Sequence, residues 1–215
     1  MNENDPGAEP SPARRAARPY SIAVGVLFLA VVIFAGVNAL ETEPIGLKRG
    51  DELPKFAAPS ATGHIDKDAN VSQDRACKIP AREAIRICDF FGRPLVIVTW
   101  FTKGCDTCGR QLDTVQAVRR RFPEVGFVGI DIKDSLENAR KEVAKGRWRF
   151  PMALDRDGAV SGLYGVVVGP TLFFAYPGGV LMSKTLGELD EAELAGKVDA
   201  LVADSRRRQR AQQRR

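Results

Sequence analysis

Cys105 and Cys108 form the pair Cys105-Asp106-Thr107-Cys108. Two thiols at this spacing suit one chemistry above others. A thiolate attacks a disulfide sulfur, and the neighbouring thiol then displaces the mixed disulfide so formed. The pair directly follows Leu95-Val-Ile-Val-Thr-Trp-Phe101, a β-branched and aromatic run preceded by the turn signal Gly92-Arg93-Pro94, which reads as a buried central strand. Past the pair, Leu112, Val115, Val118 and Phe122 recur at helical spacing until Pro123. A strand, a turn and a helix therefore carry the thiols. This places Cys105 at the helix N-terminus, where unpaired N–H groups and the macrodipole favour a thiolate. Cys105 is the expected nucleophile, and Cys108, one turn on and more buried, the expected resolving thiol. Competing readings are a permanent disulfide, half of a zinc site, or a binding module whose dithiol is inactive. With 4 cysteines and 1 histidine there is little material for a metal cluster, and no metal or cofactor is expected. His64 reads as a surface residue of the leading segment.

The elements that must position the pair alternate. Val125 to Ile132 reads as a second strand, and Ser135 to Trp148 as a helix opened by Asp134 or Ser135, with Leu136, Ala139 and Val143 inward. Such alternation predicts parallel pairing. Thr171 to Tyr176 and Val180 to Leu186 flank Pro177-Gly178-Gly179, a hairpin signal. Asp190 and Glu193 form a capping box for a last helix that buries Leu194, Val198, Leu201 and Val202. The fold class is α/β, a central mixed sheet flanked by helices.

Three stretches, Gly92 to Cys108, Phe150 to Gly158 and Tyr164 to Phe174, resemble the TlpA-like family of extracytoplasmic thioredoxin-like proteins, over roughly Asp51 to Ala203. The resemblance implies a thioredoxin-like fold and protein disulfides as substrates, with cytochrome c maturation or repair of exported proteins as settings. It implies a membrane electron donor and electron flow toward the substrate. It also implies that Pro170 is a cis-proline facing the dithiol and that Gly169 and Pro170 hold substrate backbone. Departures stand beside it. Many relatives carry Trp before the first cysteine and Pro before the second, whereas this chain has Gly104 and Thr107. Where thioredoxins hold a buried acid six residues before the first cysteine, or relatives a Glu six after it, Thr99 and Gln111 stand here. Asp106 opposes a thiolate, while Lys103 and Arg110 favour one. The run Thr102-Lys-Gly-Cys105 also matches part of the peroxiredoxin signature, but Val98 occupies the place of its proline. A thiol peroxidase using Cys105 is the alternative activity.

The rest of the chain bears on compartment. Pro19 to Leu40 is 22 residues without a charge, enough to cross about 30 Å of hydrocarbon. The expected division is a cytoplasmic tail over 1–19, a transmembrane helix over 20–40, a tether over 41–50, the thioredoxin-like domain over 51–204 and a basic disordered tail over 205–215. Arg14, Arg15 and Arg18 before the apolar run and Glu41 and Glu43 after it export the domain. A cleaved signal peptide ending near Val37-Asn38-Ala39 would export it too. An oxidising compartment permits a structural disulfide between Cys77 and Cys88, the alternative being a second redox pair that relays electrons. The formal charge of +5 is more than covered by the six arginines between Arg206 and Arg215. With the body near neutral, no nucleic-acid partner is expected; attraction of the tail to anionic envelope surfaces is the sharper reading of its charge.

Overall fold

The computed structural model describes residues 23–30, 46–82 and 84–214. The chain divides into two units, Met1–Pro44 and Ile45–Arg215. In the first, residues 23–30 are helical and the large side chains from Val24 to Leu29 are exposed. The remainder of the span expected over 20–40 and the whole tail over 1–19 lie outside the described residues. Among the described residues no helix is long and apolar enough to cross a membrane.

The second unit is built on a mixed sheet. Its strands are β3 (Leu95–Trp100), β4 (Gly126–Ile132), β5 (Met152–Asp155), β6 (Thr171–Tyr176) and β7 (Val180–Leu186), in the order β5-β4-β3-β6-β7. A small antiparallel pair, β1 (Ala57–Ala58) and β2 (Ile85–Arg86), stands apart. β3 pairs parallel to β4 and antiparallel to β6, the latter joining β7 through the expected hairpin. All six residues of β3 are buried. That explains its unbroken apolar run, since a central strand covered on both faces has no solvent side to mark with polar residues.

Helices α1 (Cys108–Val118), α2 (Leu136–Gly146) and α4 (Glu191–Gln213) cover one face, where Leu112, Val115, Ala139, Val143 and Leu194 meet Val96, Val98 and Trp100. The opposite face holds Leu95, Ile97, Phe173, Phe56 and Tyr164, the last on the short helix α3 (Ala159–Tyr164). Asp155 anchors α3, its carboxylate accepting the N–H groups of Val160 (2.9 Å) and Ser161 (2.7 Å). α2 is capped by the Ser135 hydroxyl, and α4 by the reciprocal Asp190–Glu193 box.

Two expected boundaries move. Part of the tether expected over 41–50 is docked: the Gly50 N–H donates to the Leu181 carbonyl at 2.8 Å. Gly46 (φ 92°) lies so near the backbone of Tyr164 and Gly165 that a Cβ there would sit 2.8 Å from the Tyr164 oxygen. The C-terminal tail expected to be disordered over 205–215 instead continues α4 as far as Gln213. Two of its arginines reach the body of the domain. Arg206 pairs with Glu124 at 3.2 Å, and the Arg208 guanidinium lies 3.8 Å from the centre of the Tyr176 ring, a cation–π contact.

One buried group is unexpected. Asp131 on β4 is fully buried and stands beside Trp100 in the parallel register. As a carboxylate, neither of its oxygens has a donor. Burial, then the nearby carboxylates of Asp134 and Glu142, push its pKa up to about 9. It is a neutral acid at pH 7, able to donate its proton to Asp134. An acid whose pKa is raised on folding adds stability fully below its unfolded value near 3.9, and loses it as pH climbs towards the folded value. Wild-type stability should therefore fall between about pH 4 and pH 9. Asp131→Asn, neutral at every pH, should gain on wild type by roughly 4 kcal/mol between pH 5 and pH 8, the linkage of one proton over three pH units. Urea denaturation at the two pH values measures this; an offset that does not change with pH would refute the assignment.

Candidate active site

β3 ends at Trp100, and the chain then turns through Gly104, whose φ of 72° lies in the left-handed region that glycine adopts without strain. Cys105 and Cys108 follow, joined by a disulfide. Cys105 is half-buried, whereas Cys108 is 1% exposed. The helix begins at Cys108, one turn later than expected for Cys105. Cys105 instead leads the turn into it, its carbonyl accepting the Cys108 N–H at 3.4 Å. The Phe101 N–H donates to the Cys108 sulfur at 3.5 Å, tying the sulfur to the strand end.

Facing the pair is the loop between α3 and β6. Its Gly169–Pro170 peptide bond is cis. A Cβ on Gly169 would lie 3.3 Å from the Cys108 sulfur and 2.5 Å from the Phe101 ring, so the loop passes closely over the buried sulfur. Hydroxyls pin it from within. Thr99 donates to the Thr171 carbonyl at 3.2 Å, and Thr171 donates to the Val168 carbonyl at 2.6 Å. The Pro170 carbonyl accepts the Gly187 N–H at 2.8 Å. Outside the loop, Val167 is 70% and Val168 42% exposed, and Leu186 is 58% exposed.

The local charges differ from a simple balance. Arg110, expected to favour a thiolate, is engaged by Glu188 through two hydrogen bonds of 2.9 and 2.7 Å. Its bond to Glu188 holds the guanidinium above its usual pKa. Much of its field is thus spent on Glu188. Thr99 fills the place of the thioredoxin acid, and Gln111, fully buried, accepts the Leu189 N–H at 2.6 Å.

The structure thus brings Cys105, Cys108, Gly169 and Pro170 together at one end of the sheet. Cys77 and Cys88 stand elsewhere, joined by a second disulfide that links the helical turns Ala76–Lys78 and Ile87–Phe90. A closed loop of this size contributes roughly 3 kcal/mol in the chain-entropy model. His64 is exposed. Among the described residues no His, Cys, Asp and Glu cluster could hold a metal ion. Sequence reasoning passed over Phe101 and Glu188. Phe101 read as the end of the strand, and only the close approach of Gly169 reveals its second role; Glu188 reaches Arg110 across 78 positions, a pairing no local pattern encodes.

Known proteins resemble this chain in sequence and fold. The chain is 27% identical over 187 residues to the thiol:disulfide interchange protein DsbE of Pseudomonas fluorescens biotype C, covering 84% of this chain and 92% of that protein. It is 21% identical over 179 residues to the thiol-disulfide oxidoreductase ResA of Oceanobacillus iheyensis, covering 82% and 85%. The structure of MTB DsbF in its mixed oxidized and reduced forms superposes with a TM-score of 0.55 at 27% identity, over 69% of this chain and 96% of that one. A family model, that of the AhpC/TSA family, matches residues 50–184. With the dithiol at the end of a central strand and a cis-proline loop across from it, the chain belongs to the AhpC/TSA family, as a TlpA-like member with a thioredoxin-like fold.

Proposed function

We propose that this protein is a membrane-anchored, extracytoplasmic thiol-disulfide oxidoreductase that reduces disulfides of exported proteins, with Cys105 as nucleophile and Cys108 as resolving thiol. The oxidoreductase chemistry rests on the family and on relatives that carry that name. One observation carries the assignment of roles: the half-buried Cys105 is bonded to a buried Cys108 beneath a cis-proline loop. In the reduced protein, the Cys105 thiolate attacks one sulfur of a substrate disulfide. That bond breaks, and the released substrate thiolate takes a proton from solvent. The Cys108 thiolate then attacks the Cys105 sulfur, forming the intramolecular disulfide and expelling the second substrate thiolate, which is protonated in turn. Two electrons pass to the substrate, and an unidentified membrane donor returns them. Exposed Val167 and Val168 beside Gly169 suit an extended protein segment better than a small solute.

Anchoring is supported by the uncharged run over 20–40 and by the exposed apolar side chains of the helical residues 23–30. Cytochrome c maturation and repair of exported proteins are the two substrate settings consistent with the TlpA-like resemblance. Local charge supports electron flow toward the substrate, Lys103 offsetting Asp106 only in part. A strongly stabilised thiolate makes a dithiol oxidising; here Asp106 opposes a thiolate, and Arg110 is occupied by Glu188. Equilibrating the full chain in detergent with glutathione buffers should give a potential below roughly −200 mV, and a value near −120 mV would mark a protein that installs disulfides.

A further inference from the structure

The C-terminal end of α2 and the turn at Thr62 enclose a cleft of about 290 Å³, whose lining residues are none of those gathered around Cys105 and Cys108. Three arginines, Arg140, Arg147 and Arg149, line it together with Thr62, Val143 and Trp148. No acid does. Among the described residues none of the three arginines is paired with a carboxylate. Like charges brought to one cleft repel, a cost that a bound anion removes. The cleft is also held in shape. Arg140 donates to the Gly63 carbonyl on the facing turn, and the Arg149 N–H donates to Gln116 Oε1 at 2.9 Å.

Arg147 closes α2 with a φ of 54°, a left-handed backbone that strains every residue but glycine and its few polar substitutes. Glycine is the usual residue there. In this chain it stands one place earlier, because a Cβ on Gly146 would strike the Trp148 indole. The strain therefore falls on an arginine that lines the cleft, and strain of this kind gathers at binding sites. Basic residues at a helix C-terminus also offset the macrodipole, and Lys145 in the last turn does so. That account stops short of Arg140, midway along α2, and of Arg149, beyond its cap. The Val143 and Ala144 carbonyls accept the Trp148 and Arg147 N–H groups, which blunts the negative end of the helix. The neighbouring acids are engaged, Asp113 by the Trp148 indole N–H at 2.8 Å and Glu142 by Lys145 at 3.3 Å.

We propose that this cleft binds a small phosphate monoester, its terminal oxygens taken by Arg140, Arg147 and Arg149 and its organic part laid against Trp148. Such a group carries ~1.5–2 negative charges and three acceptor oxygens at pH 7. A carboxylate has one charge and two oxygens, and would leave a guanidinium unanswered.

The test is calorimetric titration of the full chain in neutral detergent with phenyl phosphate, and with benzoate, which carries the same ring on a planar carboxylate. Phenyl phosphate should bind at one site, and benzoate about tenfold more weakly. Arg147→Gln should weaken phenyl phosphate by about tenfold or more. Arg147→Gly should lose as much affinity yet melt no lower than wild type, since glycine accepts the left-handed backbone. An arginine kept for structure alone would leave affinity unchanged in both variants. That result, or no saturable binding by wild type, would overturn the proposal. If neither variant folds, Arg149→Gln is read by the same measure. Phosphate monoesters occur free and as lipid headgroups, so competitors identify the source. Displacement of phenyl phosphate by glycerol phosphate alone assigns a soluble ligand, and by phosphatidate in the same micelles a lipid; displacement by neither would overturn the proposal.

Discussion

Replacing Cys105 by serine should lower the rate of insulin disulfide reduction by about a thousandfold or more. A serine hydroxyl is scarcely ionised near neutral pH, and exchange requires an anionic sulfur that can both attack and be displaced. Cys108, 1% exposed and covered by the loop at Gly169, is too enclosed to take over the first attack. The measurement is initial rate under a fixed supply of reductant, with wild type as reference. The same comparison addresses the peroxidase alternative. A peroxide-reducing enzyme would lose hydrogen peroxide turnover on the same substitution while showing little insulin reduction beforehand.

Gly169→Val should be the most damaging single substitution outside the cysteines. The first added carbon would fall 2.5 and 2.7 Å from two atoms of the Phe101 ring and 3.3 Å from the Cys108 sulfur. Overpacking of this kind costs about 1–3 kcal/mol. The activity should suffer more than the stability, by roughly ten- to a hundredfold in kcat/KM, because the loop and the sulfur would no longer keep their spacing. Phe101→Leu should relieve part of the loss in the double variant, a non-additivity expected only of residues in contact. Thermal melting and reduction kinetics on the four proteins of the cycle measure both effects. Wild-type values for Gly169→Val would show that the close approach is immaterial.

Much of this site was legible because local chemistry and global position agree. The β-branched run of β3, the Pro177-Gly178-Gly179 turn and the Asp190–Glu193 box each carry their instruction within a few residues, and the structure follows them. The legibility fails where burial is decided at long range. Asp131 sits in Gly-Ile-Asp-Ile, a pattern that would suit a strand with one wet face; β4 is covered on both sides, and the acid becomes neutral. The arginine-rich end read as solvated because it lacks an apolar face. It remains helical because the turns before it are packed and because Glu124 and Tyr176, more than twenty-five residues distant, receive Arg206 and Arg208. The one-turn delay in the start of α1 has a local cause that spacing cannot show, the left-handed Gly104 and the turn closed by the Cys105 carbonyl. Gly169 was marked by resemblance alone, and its physical reason, the Phe101 ring, lies 68 positions earlier in the chain.

The assignment of Cys105 as the sulfur that meets substrate is tested most directly by reciprocal trapping. Full-length Cys108→Ser, expressed in cells and quenched with acid, should hold partner proteins as mixed disulfides that release on reduction, with mass spectrometry placing the bond at Cys105. Cys105→Ser should hold none above background. Partners bound through Cys108 in the Cys105→Ser chain, with none on Cys105 in the other, would contradict the account.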